Sequence, residues 1–310
     1  MQIITGDALE SLRQLPNCCC STCVTSPPYF GLRNYDTPGQ IGLEETPNEY
    51  IDRLVEVFRE VRRVLRDDGT LWLNIGDSYA TRSRNNPPRN TRNKSGHTEK
   101  KTPSGYKYKD LIGIPWLLAF ALRADGWYLR ADIIWHKPNA MPESAKDRPT
   151  RAHEYIFLLS KSERYYYDAE AVREPAVGFD KSNARRRGNS RTFRGGGAYT
   201  HNQAADNSAR VERQSHGLAP NEDGKRNRRS VWTVATRPYK GAHFATFPEE
   251  LVRPCILAGS RPGDIVLDPF AGSGTTGAVA IQEGRGFIGI EINPTYSEMI
   301  EQRIQNAAEK

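Results

Sequence analysis

The feature that most constrains the fold is a glycine-rich turn late in the sequence. Gly272-Ser273-Gly274-Thr275-Thr276-Gly277 fits the pattern G-x-G-x-x-G, between a segment typical of a buried strand and one typical of a helix. Glu291 ends the next predicted strand, about as far on as an acidic residue that binds a ribose should lie. Glycines let a backbone approach a ligand closely, and a carboxylate accepts hydrogen bonds from hydroxyl groups. The pattern predicts a nucleoside-binding turn in an α/β fold, with a purely structural glycine turn as the alternative.

The late position of the turn narrows the choice of ligand. Few residues follow Glu291, so we expect the N-terminal half of the chain to supply the rest of the sheet. A dinucleotide-binding enzyme usually opens its cofactor fold with such a turn, which argues against NAD. A phosphate-binding P-loop is ruled out because Ala278 occupies the position of its lysine.

Strand and helix signals alternate along most of the chain. The best-marked helix has Thr46 as its N-cap, Pro47 as its first residue and Glu49 completing a capping box, and Asp67-Asp68-Gly69 is expected to close it. Further helices are predicted over 8–15, 111–124 and 248–258, from the glycine turn to 283, and at the C-terminus. Predicted strands cover 2–5, 22–25, 70–75, 128–135, 154–160, 264–267 and 286–290. This alternation predicts a doubly wound, mostly parallel α/β sheet.

A second motif, Ser26-Pro27-Pro28-Tyr29, follows the strand predicted at 22–25 and should lie at the carboxyl edge of the sheet. An exocyclic amino group is a poor nucleophile because its lone pair is delocalised into the ring. If the Ser26 hydroxyl and the Pro27 carbonyl accept its hydrogens, the nitrogen can pyramidalise towards an electrophilic methyl group. Tyr29 would stack on a base taken out of the helix. A rigid turn with an aromatic plug is the structural alternative.

Together these residues resemble the amino-group DNA methyltransferases, in the permuted beta group whose Ser/Asp-Pro-Pro-Tyr loop precedes the cofactor loop. The resemblance implies a Rossmann-like fold with circularly permuted motif order, and methyl transfer from S-adenosyl-L-methionine to the amino group of a flipped base. It covers nearly the whole chain. Its further anchors are Gly6-Asp7, Asp68-Gly69-Thr70, Trp135 to Asn139, His153-Glu154-Tyr155, His243 to Pro248, and Asp268 to Thr276.

The resemblance also implies roles for single residues. It places the cofactor across the glycine turn, with Glu291 on the ribose, Asp7 near the adenine end and residues 246–248 near the methionine end. The implied cofactor-binding residues are Asp7, Thr246, Phe247, Pro248, Asp268, Phe270, Gly272, Gly274, Thr275 and Glu291, and the implied catalytic residues are Ser26, Pro27, Pro28 and Tyr29.

The identity of the target base depends largely on Ser26. A serine at the first position of the catalytic loop is typical of cytosine-N4 members, whereas adenine-N6 members mostly carry Asp or Asn. We therefore expect cytosine N4, with adenine N6 as the alternative, because both bases present the same amino group. An RNA or protein-amide methyltransferase, and a nucleic-acid-binding protein without catalysis, are alternatives from other classes. A cytosine-C5 enzyme is disfavoured because Cys255 of the Pro254-Cys255 pair falls inside a predicted helix.

Two strongly basic segments favour a nucleic-acid partner in a chain of net charge +7, with solvated surface loops as the structural alternative. The first, 82–109, is interpreted as an insertion in a catalytic domain formed by 1–167 and 231–310. The second lies in 168–230, which corresponds to the target-recognition region of the family. The candidate DNA-contacting residues are Arg185, Arg186, Arg187, Arg191, Arg194, Arg226, Arg228 and Arg229.

The remaining expectations concern environment and partners. No segment is apolar over a length that spans a membrane, and the start lacks the features of a signal peptide, so a cytoplasmic protein of prokaryotic or phage type is expected. Cys18, Cys19, Cys20 and Cys23 are expected to be reduced, partly buried thiols leading into a strand, and no metal site is expected. The expected partners are double-stranded DNA and a cognate restriction enzyme, with the chain acting as a monomer or homodimer.

Overall fold

The computed structural model describes residues 1–32, 37–80, 102–176, 224–236 and 247–308. The chain divides into two compact units, one formed by Met1–Ala171 with Arg229–Lys310 and the other by Val172–Arg228. The role of 168–230 as a target-recognition region stays a prediction. Outside the described residues lie most of the basic segment at 82–109, together with Thr246, Arg185, Arg186, Arg187, Arg191 and Arg194.

An eight-stranded sheet forms the centre of the larger unit. The strands within the described residues are β1 (Gln2–Thr5), β2 (Cys20–Thr25), β3 (Leu65–Ile75), β4 (Tyr128–His136), β5 (His153–Ser160), β6 (Glu174–Pro175), β7 (Lys225–Arg226), β8 (Val231–Thr233), β9 (Ile265–Asp268) and β10 (Gly286–Glu291). Their order in the large sheet is β1-β10-β9-β2-β3-β5-β4-β8. The first five strands in this order, β1, β10, β9, β2 and β3, are parallel to one another. Strand β5 is antiparallel to both β3 and β4, and β8 is parallel to β4. In the smaller unit β6 and β7 form an antiparallel pair.

The helices form two groups, and the helices within each group contact one another. In the part of the chain that the structure describes they are α1 (Ala8–Arg13), α2 (Pro47–Val64), α3 (Ile114–Ala124), α4 (Glu249–Gly259), α5 (Thr275–Gln282) and α6 (Pro294–Ala308). The first group is α1, α2 and α3, and the second is α4, α5 and α6. The predicted doubly wound, mostly parallel α/β sheet is therefore confirmed. No described helix is long and apolar enough to cross a membrane.

Helix α2 begins as predicted and ends earlier than predicted. The Thr46 hydroxyl accepts from the Glu49 N–H and the Glu49 carboxylate accepts from the Thr46 N–H, which completes the capping box. The sequence predicted that Asp67-Asp68-Gly69 would close the helix, but Leu65 already has an extended backbone and pairs with Cys20 in the β2–β3 ladder. The acidic turn thus belongs to β3, because strand pairing captures the chain immediately after Val64.

Helix α3 begins later than predicted, and β8 was not predicted at all. The segment from Leu111 was expected to be helical, but Gly113 has φ +85° and precedes the first helical residue, Ile114. Asp77 Oδ1 accepts from the backbone N–H groups of Gly113 (2.9 Å) and Ile114 (3.1 Å), so a side chain distant in sequence caps this helix. Strands β6 and β7 were not predicted either, and β3 begins at Leu65 instead of residue 70. The remaining predicted bounds lie within two residues of those observed.

The cysteine cluster has the predicted environment. Cys20 and Cys23 are buried in β2, while Cys18 is exposed and Cys19 is half-buried. None of the five cysteines, all of which lie in the described residues, forms a disulfide. The prediction of reduced, partly buried thiols leading into a strand is confirmed, with burial raising the pKa of Cys23 well above its usual value. In the parts of the chain that the structure describes, no group of three or more His, Cys, Asp and Glu residues could hold a metal ion.

Candidate active site

A cleft of about 290 Å3 lies at the carboxyl edge of the parallel strands. Seven strands of the large sheet end at this edge, and β5 begins there because it runs in the opposite direction. The sheet therefore brings together loops from distant parts of the sequence. Among the predicted site residues, those that line the cleft are Asp7, Ser26, Pro27, Pro28, Tyr29, Phe247, Phe270, Gly272, Thr275 and Glu291.

The two predicted loops are joined at their bases by a buried aspartate. Asp268 Oδ1 accepts from the hydroxyl of Thr25 (2.6 Å), the last residue of β2, and from the Phe270 N–H (3.1 Å). Asp268 Oδ2 accepts from the Thr276 hydroxyl at 2.7 Å. Burial raises the pKa of Asp268 to about 6, against the lowering effect of these hydrogen bonds. Asp268 does not line the cleft, so the prediction of a direct cofactor contact is not supported by its position.

The two glycines of the turn have different surroundings. Gly272 has φ +54° and lines the cleft, and a Cβ at this position would have only the Phe270 carbonyl within 4 Å, at 3.8 Å. Gly274 has φ +77°, and a Cβ there would lie 3.0 Å from Ile300 Cγ2 on α6. Gly272 therefore opens space for a ligand, whereas Gly274, which does not line the cleft, allows close packing of α6.

Glu291 supports the turn and lies on the wall of the cleft. Its Oε2 accepts from the Gly272 N–H at 2.8 Å and its Oε1 accepts from the Asn293 N–H at 2.9 Å. The residue is 9% exposed, and burial raises its pKa. Each carboxylate oxygen has a second lone pair, so Glu291 can also accept hydrogen bonds from ligand hydroxyls.

Arg303 on α6 holds the glycine turn from outside the cleft, which the sequence did not indicate. One guanidinium nitrogen, Nη1, donates to the Ser273 carbonyl and hydroxyl at 3.2 Å each, and to the Thr275 hydroxyl at 2.9 Å. The other, Nη2, donates to Glu249 Oε1 at 3.1 Å. Because α6 follows the turn by some twenty residues, only the three-dimensional packing reveals this contact.

The Ser-Pro-Pro-Tyr loop is fixed by two tyrosine hydroxyls. The Tyr50 hydroxyl donates to the Pro28 carbonyl at 2.7 Å, so this carbonyl is already engaged within the protein. The Tyr29 hydroxyl donates to Glu154 Oε2 at 2.8 Å and to Asn74 Oδ1 at 3.3 Å. Burial and the Glu154 carboxylate raise the pKa of Tyr29, which keeps its hydroxyl protonated.

Polar residues with no role predicted from the sequence surround Tyr29. Asn74 on β3, Lys137 after β4 and Glu154 on β5 all line the cleft. The Lys137 ammonium pairs with Glu154 Oε1 and lies 4.1 Å from the centre of the Trp135 ring. Lys137 and Glu154 belong to motifs that carry the family resemblance. Their position at the ends of predicted strands is the sequence feature that could have indicated a role in the cleft.

Several predicted residues lie away from the cleft. Pro248 is the N-cap of α4 and does not line it. Cys255 is buried within α4, where its thiol contacts the Leu251 carbonyl at 3.4 Å, a position that gives no support to a thiolate nucleophile. In the smaller unit Arg226 Nε donates to Glu174 Oε1 at 2.9 Å. The predicted DNA contacts of Arg226, Arg228 and Arg229 stay predictions.

Comparison with known proteins gives similarities along nearly the whole chain. A family model described as DNA methylase matches residues 20–302. Type II methyltransferase M.Cfr9I from Citrobacter freundii is 50% identical over 305 residues, covering 98% of this chain and 87% of that protein. A provisionally assigned DNA modification methylase from Thermus thermophilus, solved with S-adenosyl-L-methionine, has a TM-score of 0.60 at 25% identity, covering 99% of this chain and 94% of that one. PvuII DNA methyltransferase, described as cytosine-N4-specific, shares the fold with a TM-score of 0.64 at 20% identity, covering 99% and 90%.

Proposed function

Because the chain belongs to the N6/N4 DNA methylase family, we propose that it transfers a methyl group to the exocyclic amino group of a flipped base in duplex DNA, with cytosine N4 preferred. It is a DNA methyltransferase of the amino-group type and uses S-adenosyl-L-methionine. The observation that carries the site assignment is the juxtaposition of Ser26–Tyr29 and the glycine turn in one cleft. The Thr25–Asp268 hydrogen bond holds the two loops together.

The residues of the cleft fit this cofactor. The open side of Gly272 admits a ligand close to the backbone, and Glu291 offers acceptor lone pairs beside it for the ribose hydroxyls. Asp7 and Phe270 line the same cleft, and Thr275 and Phe247 complete the proposed binding set. When bound, the cofactor supplies an electrophilic methyl group on a sulfonium.

The Ser-Pro-Pro-Tyr loop orients the amino group. Ser26 Oγ and the Pro27 carbonyl accept its two hydrogens, which draws the nitrogen lone pair out of conjugation with the ring and towards the methyl group. Tyr29 stacks on the flipped base and offsets part of the few kcal/mol that unstacking costs. No covalent bond between protein and base is needed, in keeping with the buried position of Cys255.

The preference for cytosine rests on Ser26. A hydroxyl is a weaker acceptor than the carboxylate or amide typical of adenine-N6 members, and serine at this position is typical of cytosine-N4 members. Adenine N6 is the second candidate, since it offers the same planar amino group to the same acceptors. Similarity to Type II methyltransferase M.Cfr9I supports a restriction-modification context, and a cognate restriction enzyme is part of the proposal.

The test is methyl transfer from labelled cofactor, with unmethylated duplex DNA, duplex RNA and a glutamine-rich peptide as parallel substrates. After enzymatic digestion, we expect label in N4-methyldeoxycytidine from the DNA alone. Label in N6-methyldeoxyadenosine would move the target to adenine, and label confined to RNA or peptide would overturn the proposal.

A further inference from the structure

A carboxylate that the proposed methyl transfer does not use lies in the cleft beside Tyr29. Glu154 is the second residue of β5, and its side chain is 16% exposed. It accepts hydrogen bonds from the Tyr29 hydroxyl (2.8 Å), the Asn74 amide (3.3 Å) and the Lys137 ammonium. These three donors come from three separate segments of the chain, so Glu154 is the point at which they are tied together.

The Tyr29 side chain is held at two places, at its hydroxyl by hydrogen bonds and at its ring carbons by packing against Gly76. Its hydroxyl is fixed by Glu154 and Asn74. Gly76 lies against the ring, since a Cβ at this position would be 2.7 Å from Tyr29 Cε2. A side chain larger than glycine would displace the ring. The protein therefore sets the position of the ring before any base arrives.

Lys137 balances the charge of Glu154. A carboxylate this little exposed is costly unless it is paired and hydrogen-bonded. The side chain of Lys137 is itself 18% exposed, and its ammonium lies over the Trp135 ring. Because the ion pair holds Glu154 in place, one of its oxygens stays aimed at the Tyr29 hydroxyl.

We propose that Glu154 is a positioning residue for methyl transfer that acts through the hydroxyl of Tyr29. The inference rests on the proposed function, because it takes Tyr29 to be the residue that stacks on the target base. A ring fixed in advance lowers the ordering cost of base binding. A hydrogen bond to a carboxylate also makes the ring more electron-rich, which favours the positive charge that develops on the base as its nitrogen takes the methyl group.

A double-mutant cycle between Glu154→Gln and Tyr29→Phe tests this inference. Single-turnover rates are measured at saturating cofactor and duplex DNA, and cofactor affinity is measured by calorimetry. We expect Glu154→Gln to slow transfer about ten- to a hundredfold, the loss of a hydrogen bond to a charged group, with unchanged cofactor affinity. In the Tyr29→Phe background the same substitution should have no further effect, because the hydroxyl that it acts on is absent.

Two more variants keep the test decisive. Glu154→Asp keeps the charge near Lys137 but withdraws the oxygens from Tyr29, so it should slow transfer only where the Tyr29 hydroxyl is present. Glu60→Gln is the matched control: Glu60 is 22% exposed, pairs with Arg63 on α2 and does not line the cleft, so transfer should be unchanged.

Equal losses in the wild-type and Tyr29→Phe backgrounds would overturn the inference, as would a rate loss matched by lost cofactor binding or lost thermal stability. These outcomes are distinct from failure of the proposed function. If the wild-type protein transfers no methyl group to DNA, the proposed function is wrong; if it does and the two substitutions act independently, only the role of Glu154 is wrong.

Discussion

The Thr25 hydroxyl donates a 2.6 Å hydrogen bond to Asp268 Oδ1, which joins the end of β2 to the end of β9. Ser26 directly follows Thr25, and the glycine turn lies shortly after Asp268. The spacing between the proposed acceptor of the amino group and the proposed cofactor loop is therefore set by a buried contact beneath both loops. Because methyl transfer requires the reacting atoms to be aligned, this contact is an element of preorganisation.

The titration of Asp268 should appear in the pH dependence of stability. Its pKa of about 6 in the folded protein lies above the 3.8 of an exposed aspartate. Between about pH 4 and 6 the folded state thus holds a proton that the unfolded chain has released, and the free energy of unfolding falls as pH rises through this window. We expect the wild type to lose about 3 kcal/mol more than Asp268→Asn across it, measured by urea denaturation. Parallel pH profiles for the two proteins would contradict this account.

Gly272 and Gly284 offer a matched pair for testing the cofactor site. Both have positive φ, +54° and +73°, and a Cβ at either position would have no atom closer than 3.8 Å, but only Gly272 lines the cleft. Replacing either with valine imposes similar backbone strain. We expect Gly272→Val to raise the Kd for S-adenosyl-L-methionine about tenfold or more, a loss of about 1.4 kcal/mol, and Gly284→Val to leave it unchanged. Equal affinities in calorimetry would show that the cofactor does not approach Gly272.

Arg303 should affect cofactor binding although it does not line the cleft. Its Nη1 donates to the Ser273 carbonyl and the Thr275 hydroxyl, so Arg303→Met frees the turn from α6. We expect weaker cofactor binding by about five- to thirtyfold, because only part of the stabilisation that these hydrogen bonds give the turn is transmitted to the cofactor. Arg253→Met, which breaks an ion pair with Glu283 elsewhere, is the control. If both variants bind the cofactor like the wild type, the turn does not depend on Arg303.

The predicted DNA contacts of the second basic segment can be tested through salt dependence. Each phosphate contact that is lost should reduce the slope of log affinity against log salt by about 0.9. Replacing Arg185, Arg186 and Arg187 with glutamine should therefore flatten the slope by up to about 2.7 in filter-binding or anisotropy titrations. The same change at the exposed residues Arg13, Arg53 and Arg123 is the control. Identical slopes in both triple variants would show that Arg185, Arg186 and Arg187 do not contact phosphates.

Features set by contacts between neighbouring residues were predicted correctly from the sequence, whereas features set by contacts between distant residues were not. Capping of α2 by Thr46 and Glu49 is local, and it was predicted correctly. The pairing of Leu65 with Cys20 and the capping of α3 by Asp77 are long-range, and the element bounds that they set were predicted wrongly.

The same contrast between local and long-range contacts applies to the candidate site. Alternating strands and helices predicted that Ser26–Tyr29 and the glycine turn share one edge, and both line the cleft. A motif does not reveal which way a side chain points, so Asp268 was expected in the cleft and instead lies beneath it. Glu154 could not be assigned a role, because its contact with Tyr29 joins residues 125 positions apart.

The most direct test of the central claim is the rate of methyl transfer to duplex DNA by Ser26→Ala at saturating cofactor, compared with the wild type. We expect unchanged affinity for S-adenosyl-L-methionine and a loss of N4-methyldeoxycytidine formation of about a hundredfold or more, because the amino group loses one of its two acceptors. A Ser26→Ala protein that retains most of the wild-type rate would contradict the proposed role of the Ser-Pro-Pro-Tyr loop.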